Sequence, residues 1–151
     1  MSDRINLFSQ KNGGIDGLIA TEKWLAEKID SKLIELVKVR VSQLNGCAYC
    51  LHMHRQAALE LGETEDRLLL LSAWRESRLY SAQERAALAW AETLTLIAET
   101  HAPDEAYDAV NRFFTNEELI ALSIGIAIIN AWNRLAIGFR LQHKADRKQT
   151  V

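Results

Sequence analysis

Two cysteines and a histidine form the main cluster of reactive residue types in this sequence. Cys47, Cys50 and His54 lie within the segment NGCAYCLHMH, and the chain has no other cysteine. If a helix that turns about 100° per residue begins near Cys47, then Cys50 lies about 60° and His54 about 20° from Cys47 around the axis. All three side chains then share one face, whereas His52 points about 140° away from Cys47. The spacing therefore selects His54, rather than His52, as the partner of the cysteines.

This cluster is expected to contain an activated thiol. The free amides and the macrodipole at a helix N-terminus favour a thiolate, and a nearby imidazole can accept the thiol proton. A sulfenic acid formed on one cysteine can be resolved by the other, which gives a disulfide that an external dithiol reduces. The arrangement therefore favours the reduction of peroxides. The helix-end argument alone favours Cys47 as the thiol with the lower pKa, and the residues leave open which sulfur attacks.

C-x-x-C is also the spacing of a zinc half-site and of a thioredoxin-like motif. A closed structural zinc site needs four ligands, and His101 and His143 are distant from the pair along the sequence, with no second Cys or His at short spacing from either. A thioredoxin-like motif would follow a β-strand, but no alternation of apolar and polar residues precedes Cys47. Both alternatives are disfavoured, and we expect no metal or other cofactor.

The elements that position the cluster are all predicted to be helical. The 151 residues include one proline, and 48% of them are apolar. The apolar residues recur at helical spacing, with capping boxes at Ser81 and Thr115. We predict one all-α domain of about six to seven helices at 15–145, preceded by an N-terminal arm at 1–14. The helices are expected at 15–29, 31–44, 47–61, 64–74, 81–100, 103–114 and 116–139.

Composition disfavours several classes of partner. The formal net charge is −2, without a basic stripe, so a nucleic-acid partner is not expected. The first residues carry charge at Asp3 and Arg4 and no apolar segment, which predicts a cytoplasmic location. The longest uncharged run, 119–133, is shorter than the ~18 residues of a membrane span, and we expect a buried helix there.

The order Glu35, Cys47, Cys50, His54, written E-x11-C-x2-C-x3-H, resembles a known family. It is similar to the AhpD-like alkylhydroperoxidases of the carboxymuconolactone decarboxylase superfamily. The segment ELVKVRVSQLNGCAYCLHMHRQAA at 35–58 and NAWNR at 130–134 carry the resemblance, which covers most of residues 30–140. It implies an all-α subunit that forms trimers or hexamers and reduces a hydroperoxide with electrons from an external dithiol or a protein reductant.

The resemblance also implies a role for each residue. Cys50 would attack the peroxide and Cys47 would resolve it to a disulfide. His54 would transfer a proton to or from Cys50, and Glu35 would hold His54. The best-known members have a second histidine immediately before the second cysteine, where this chain has Tyr49. A phenol, with an ordinary pKa near 10, is a poor base near neutrality but can donate a hydrogen bond, so Tyr49 is a possible relay residue.

Other interpretations of these residues stay open. The Tyr49 difference motivates an alternative function, a redox-sensing or disulfide-exchange protein with little peroxide turnover. Decarboxylation of a lactone, found elsewhere in the superfamily, is disfavoured by the cysteine pair. Glu35 could simply pair with a lysine three positions away on either side. Asn130, Asn133 and Arg134 are expected to form hydrogen bonds within the fold or across a subunit interface.

Overall fold

The computed structural model describes residues 4–9 and 12–145, so positions 1–3 and 10–11 of the predicted arm lie outside the described residues. Within the described ranges every regular element is helical, which confirms the all-α prediction. Eight α-helices and one 3₁₀ turn at Leu70–Ala73 occur there, slightly more than the six to seven expected. The α-helices are α1 Gly13–Lys28, α2 Ser31–Asn45, α3 Ala48–Glu60, α4 Glu65–Leu69, α5 Ala82–Thr95, α6 Ile97–Thr100, α7 Asp104–Asn111 and α8 Asn116–Gly138.

The extra helix arises because the helix predicted at 81–100 is interrupted. Leu96 lies outside the helical region, with φ −97° and ψ 34°, and separates α5 from α6. The Thr100 hydroxyl donates to the carbonyl of Thr93 at 2.7 Å, so a side chain supplies a hydrogen bond to the last turn of α5. The helix predicted at 64–74 likewise ends at Leu69 and tightens into the 3₁₀ turn, a common form of helix terminus.

The turn between α2 and α3 positions the cysteines. The side chain of Asp30 accepts from the backbone N–H of Leu33 at 2.8 Å and begins α2, as predicted. Gly46 ends α2 with φ +69°, a conformation that glycine adopts without a Cβ penalty. The chain reverses at this point, and Cys47 becomes the N-cap residue of α3.

α8 is the central helix of the bundle. It packs against α1, α2 and α5, and its buried side chains include Leu122, Ile126 and Ile129. By length and composition it could cross a membrane, but one face of it packs against α1, α2 and α5, as in the core helix of a helical bundle. α8 approaches α2 closely at Gly125, where an added Cβ would lie 2.5 Å from Cδ1 of Ile34. The prediction of a buried helix at 119–133 is confirmed for the face that packs on these helices, whereas Ile120 is 57% exposed.

A buried amide network ties the end of α2 to α8. The Asn45 amide donates to Oδ1 of both Asn130 and Asn133 at 2.9 Å. Asn133, which is fully buried, donates in turn to the hydroxyl of Ser42 at 3.1 Å, and Arg134 donates to Asn130. The expected hydrogen bonding within the fold is therefore present. Because Asn45 lies two residues before Cys47, this network fixes the turn that carries the cysteine pair.

Replacing Asn133 with alanine is expected to lower the free energy of unfolding by about 2–3 kcal/mol. The substitution leaves the Ser42 hydroxyl and an Asn45 N–H without their buried partner, and it opens a small cavity. Urea denaturation monitored by circular dichroism measures the change. Asn111→Ala, at the exposed end of α7, is the matched control and should stay within about 0.5 kcal/mol of the parent protein. Equal losses in the two variants would contradict a structural role for the network.

Candidate active site

Cys47 and Cys50 form a disulfide at the start of α3. Their Cα atoms are 5.4 Å apart, and each residue is 1% exposed. The Cys47 sulfur accepts a hydrogen bond from the backbone N–H of Cys50 at 3.3 Å. The cysteine pair thus occupies the N-terminus of a helix, where amides and the helix dipole favour a sulfur anion after reduction. Among the described residues, the cysteine pair included, no group of three or more His, Cys, Asp or Glu side chains is placed to hold a metal ion.

His54 lies one helical turn beyond Cys50 and contacts Glu35. Its Nδ1 atom is 2.7 Å from Oε2 of Glu35, across the α2–α3 contact. An ionised carboxylate only accepts, so Nδ1 carries the proton and the lone pair of the neutral imidazole is on Nε2. Nε2 is buried and has no hydrogen-bond partner among residues 4–9 and 12–145. The pair therefore presents an imidazole whose second nitrogen can accept a proton.

Cys50 and His54 both line a cavity of about 270 Å³. Both cysteines belong to the hydrophobic core, but Cys50 is the one that also borders this cavity among the described residues. Most of the other residues that line the cavity are apolar. They come from the helices and from the segments before α1 and after α8, and they are Phe8, Ile19, Met53, Trp132, Ala136 and Leu141. The cavity thus offers an apolar molecule a place beside Cys50 and His54.

Glu35 is held from two sides. Its Oε2 atom contacts His54, and its Oε1 atom lies 3.3 Å from Nζ of Lys38, one of the lysines three positions away. The Glu35 side chain is only 13% exposed, so this is not a surface ion pair. Burial raises the pKa of Glu35, but the hydrogen bond and charge of His54, together with Lys38, outweigh it and leave that pKa below its ordinary value. Glu35 is therefore ionised at neutral pH.

Lys38 and Glu22 are the residues of this region that sequence reasoning missed. Nζ of Lys38 is 2.6 Å from Oε2 of Glu22 on α1, and both side chains line the cavity. Lys38 is 5% exposed. The spacing of Lys38 from Glu35 allowed a pair, but the contact of this lysine with Glu22 of α1 depends on tertiary packing. No local signal marks Glu22.

Tyr49 and His52 have different surroundings. Tyr49 is half-buried and lines the cavity, and its hydroxyl makes no hydrogen bond within the described residues. The hydroxyl can therefore donate to a molecule in the cavity. His52 stacks on His143, with ring centroids 5.3 Å apart. The structure therefore brings Glu35, Cys47, Cys50, His54 and Tyr49 together and leaves His52 in a packing contact, as the helical spacing predicts.

Comparisons with known proteins place the chain in a family. Residues 14–93 match the model of the carboxymuconolactone decarboxylase family. The uncharacterized protein YdfG of Bacillus subtilis (strain 168) is 40% identical over 138 residues, which span 91% of this chain and 94% of YdfG. The uncharacterized protein YnjA of Escherichia coli (strain K12) is 32% identical over 80 residues, which span 51% of this chain and 44% of YnjA.

Solved structures share the fold. A protein of unknown function from Agrobacterium tumefaciens, described as a candidate AhpD antioxidant defence protein, is 39% identical. It superposes with a TM-score of 0.89 over 94% of this chain and 98% of its own. The debrominase Bmp8 shares the fold at 22% identity, with a TM-score of 0.74 over 88% of this chain and 72% of its own. The chain therefore belongs to the carboxymuconolactone decarboxylase family, and within that superfamily it is AhpD-like.

Proposed function

We propose that this protein is a thiol-dependent peroxidase in which Cys47 and Cys50 cycle between a dithiol and a disulfide. One observation carries the proposal: the disulfide lies at a helix N-terminus, and its Cys50 borders the same cavity as a histidine held by a buried carboxylate. The helix end favours the thiolate, and the His54–Glu35 pair provides a proton acceptor. Membership of an AhpD-like family agrees with this chemistry.

The proposed cycle begins with the reduced protein. His54 Nε2 accepts the proton of the Cys50 thiol, and the thiolate attacks the terminal oxygen of a hydroperoxide ROOH. An S–O bond forms, the O–O bond breaks, and the alcohol ROH leaves with a proton from His54. Cys47 then attacks the sulfur of the Cys50 sulfenic acid, which forms the disulfide and releases water. An external dithiol or a protein reductant supplies the two electrons that restore both thiols.

The geometry supports Cys50, rather than Cys47, as the attacking thiol. Cys50 borders the cavity and precedes His54 by one turn, whereas the Cys47 sulfur accepts the Cys50 amide N–H at the helix end. That hydrogen bond stabilises a Cys47 thiolate, which suits the resolving step and the release of Cys47 when the disulfide is reduced. The hydroxyl of Tyr49 is the candidate donor to the bound peroxide.

A second candidate, a redox-sensing or disulfide-exchange protein with little turnover, is favoured by the burial of the site. Both cysteines are 1% exposed, and slow access of a reductant would limit turnover without preventing oxidation.

The proposal of an AhpD-like protein also includes assembly into a homotrimer or homohexamer. This part rests on the resemblance to AhpD-like proteins.

The two candidates differ in turnover. We expect the protein to consume many equivalents of an organic hydroperoxide when a dithiol is in excess, with one dithiol oxidised to its disulfide per hydroperoxide reduced. Peroxide loss and dithiol oxidation are followed together, with the dithiol alone as the background. Formation of the protein disulfide without multiple turnovers would favour the sensor and contradict the peroxidase.

A further inference from the structure

Four charged or titratable side chains form a continuous row from α1 to the candidate active site. Glu22 contacts Lys38 at 2.6 Å, Lys38 contacts Glu35 at 3.3 Å, and Glu35 contacts His54 at 2.7 Å. The row is largely removed from solvent, because the Lys38 side chain is 6% exposed and those of Glu35 and His54 are 13% and 7% exposed. Charges in such a place are weakly screened and act strongly on one another.

Lys38 is the one lysine of this row and lies between the carboxylates of Glu22 and Glu35. With His54 neutral, the row contains two carboxylates and one ammonium group. Without Lys38, the 13% exposed carboxylate of Glu35 would remain against the imidazole, and the 25% exposed carboxylate of Glu22 would remain on the same cavity. Both negative charges would favour the protonated ring. A protonated His54 has no lone pair on Nε2 and could not accept the proton of Cys50.

We propose that Lys38, held by Glu22, is a positioning residue that orients Glu35 toward His54 and keeps the imidazole in its proton-accepting form. The inference rests on the proposed function, in which His54 is the base. Lys38 acts through Glu35, since one carboxylate joins Nζ of Lys38 to Nδ1 of His54. Glu22 acts one step further away by holding the ammonium group in place and partly neutralising it.

The sign of each effect follows from the charges around His54. The titratable and charged groups that face this region are Glu22 from α1, Lys38 and Glu35 from α2, and Tyr49 and Cys50 from α3, while α8 contributes apolar side chains. In the disulfide form Cys50 does not titrate. Removing the positive charge of Lys38 should raise the pH at which the His54 ring titrates, and removing the negative charge of Glu22 should lower it.

NMR titration of the His54 ring in the oxidised protein tests this inference. The variants are Lys38→Met, Lys38→Arg and Glu22→Gln, and the spectrum of His54→Gln assigns the resonance. We expect Lys38→Met to raise the titration midpoint by at least about 0.5 pH units, Glu22→Gln to lower it, and Lys38→Arg to restore it. Lys32→Met is the matched control, because Lys32 lies on the same helix but donates to the carbonyl of Gly62.

The outcomes separate this inference from the proposed function. If Lys38 had a purely structural role, the titration midpoint of His54 would not shift in opposite directions in Lys38→Met and Glu22→Gln. Shifts in the same direction, or a Lys38→Met shift no larger than that of Lys32→Met, would overturn the inference even if the protein is a peroxidase. The titration needs no turnover, so it tests the inference even if the protein has no peroxidase activity. If Lys38→Met does not fold, the isosteric Glu22→Gln variant decides by the direction of its shift.

Discussion

Replacing Cys50 with serine is expected to reduce peroxide turnover on the order of a thousandfold or more, to the background of the dithiol alone. A serine hydroxyl is not ionised near neutrality, and it cannot form the sulfenic acid that stores the oxidising equivalent. Cys50 is also the cysteine that borders the cavity beside His54. Initial rates of peroxide consumption at neutral pH measure the loss.

Cys47→Ser is the matched variant for this experiment. It keeps the attacking thiol but lacks the resolving one, so it should consume about one equivalent of hydroperoxide in a burst and then stop. Trapping with a sulfenic-acid reagent should label Cys50 in this variant. A burst in Cys50→Ser and none in Cys47→Ser would contradict the assignment and make Cys47 the attacking residue.

Replacing His54 with glutamine is expected to lower the rate of peroxide reduction by about a hundredfold or more at neutral pH. The loss should shrink as the pH rises above about 8.5, the ordinary pKa of a thiol, because Cys50 then ionises without a base. Pre-steady-state oxidation of the reduced protein across this pH range measures both effects. Glu35→Gln should give a smaller loss, since the ring remains but its charged acceptor is gone.

His52→Gln provides the control for the histidine experiment. His52 is in the same helix but stacks on His143 instead of lining the cavity. Its replacement should leave the rate within a factor of about two, as expected of a site away from the chemistry. A His54→Gln loss that is the same at every pH, or an equal loss in His52→Gln, would contradict the role of His54 as proton acceptor.

The parts of the site within one helix could be predicted from the sequence. The 3.6-residue repeat places Cys47, Cys50 and His54 on one face, and Gly46 marks where the helix can begin. The two capping boxes at Ser81 and Thr115 form as their sequences predict. Each of these features depends on residues fewer than eight positions apart, so local geometry determines them.

The parts that depend on contacts between helices could not be predicted. Glu22 of α1 reaches Lys38 of α2 through tertiary packing, and nothing in the spacing of the two residues along the chain indicates it. The same holds for Phe8, which belongs to the predicted arm and lines the cavity. The break at Leu96 is accompanied by a hydrogen bond from the Thr100 hydroxyl to the carbonyl of Thr93, which the apolar repeat does not indicate. Only the family resemblance places Glu35 in the site, since a glutamate three positions from a lysine also fits an exposed ion pair on a helix.

Mass mapping of the reduced protein after one equivalent of hydroperoxide tests the central claim most directly. The account predicts that an intramolecular Cys47–Cys50 disulfide forms, with the loss of two hydrogen atoms from the peptide that contains both cysteines. It also predicts that this disulfide forms at least as fast as the protein turns over with excess dithiol. Cysteines that stay reduced, or a Cys50 that accumulates as sulfinic acid while turnover continues, would contradict a dithiol–disulfide peroxidase cycle.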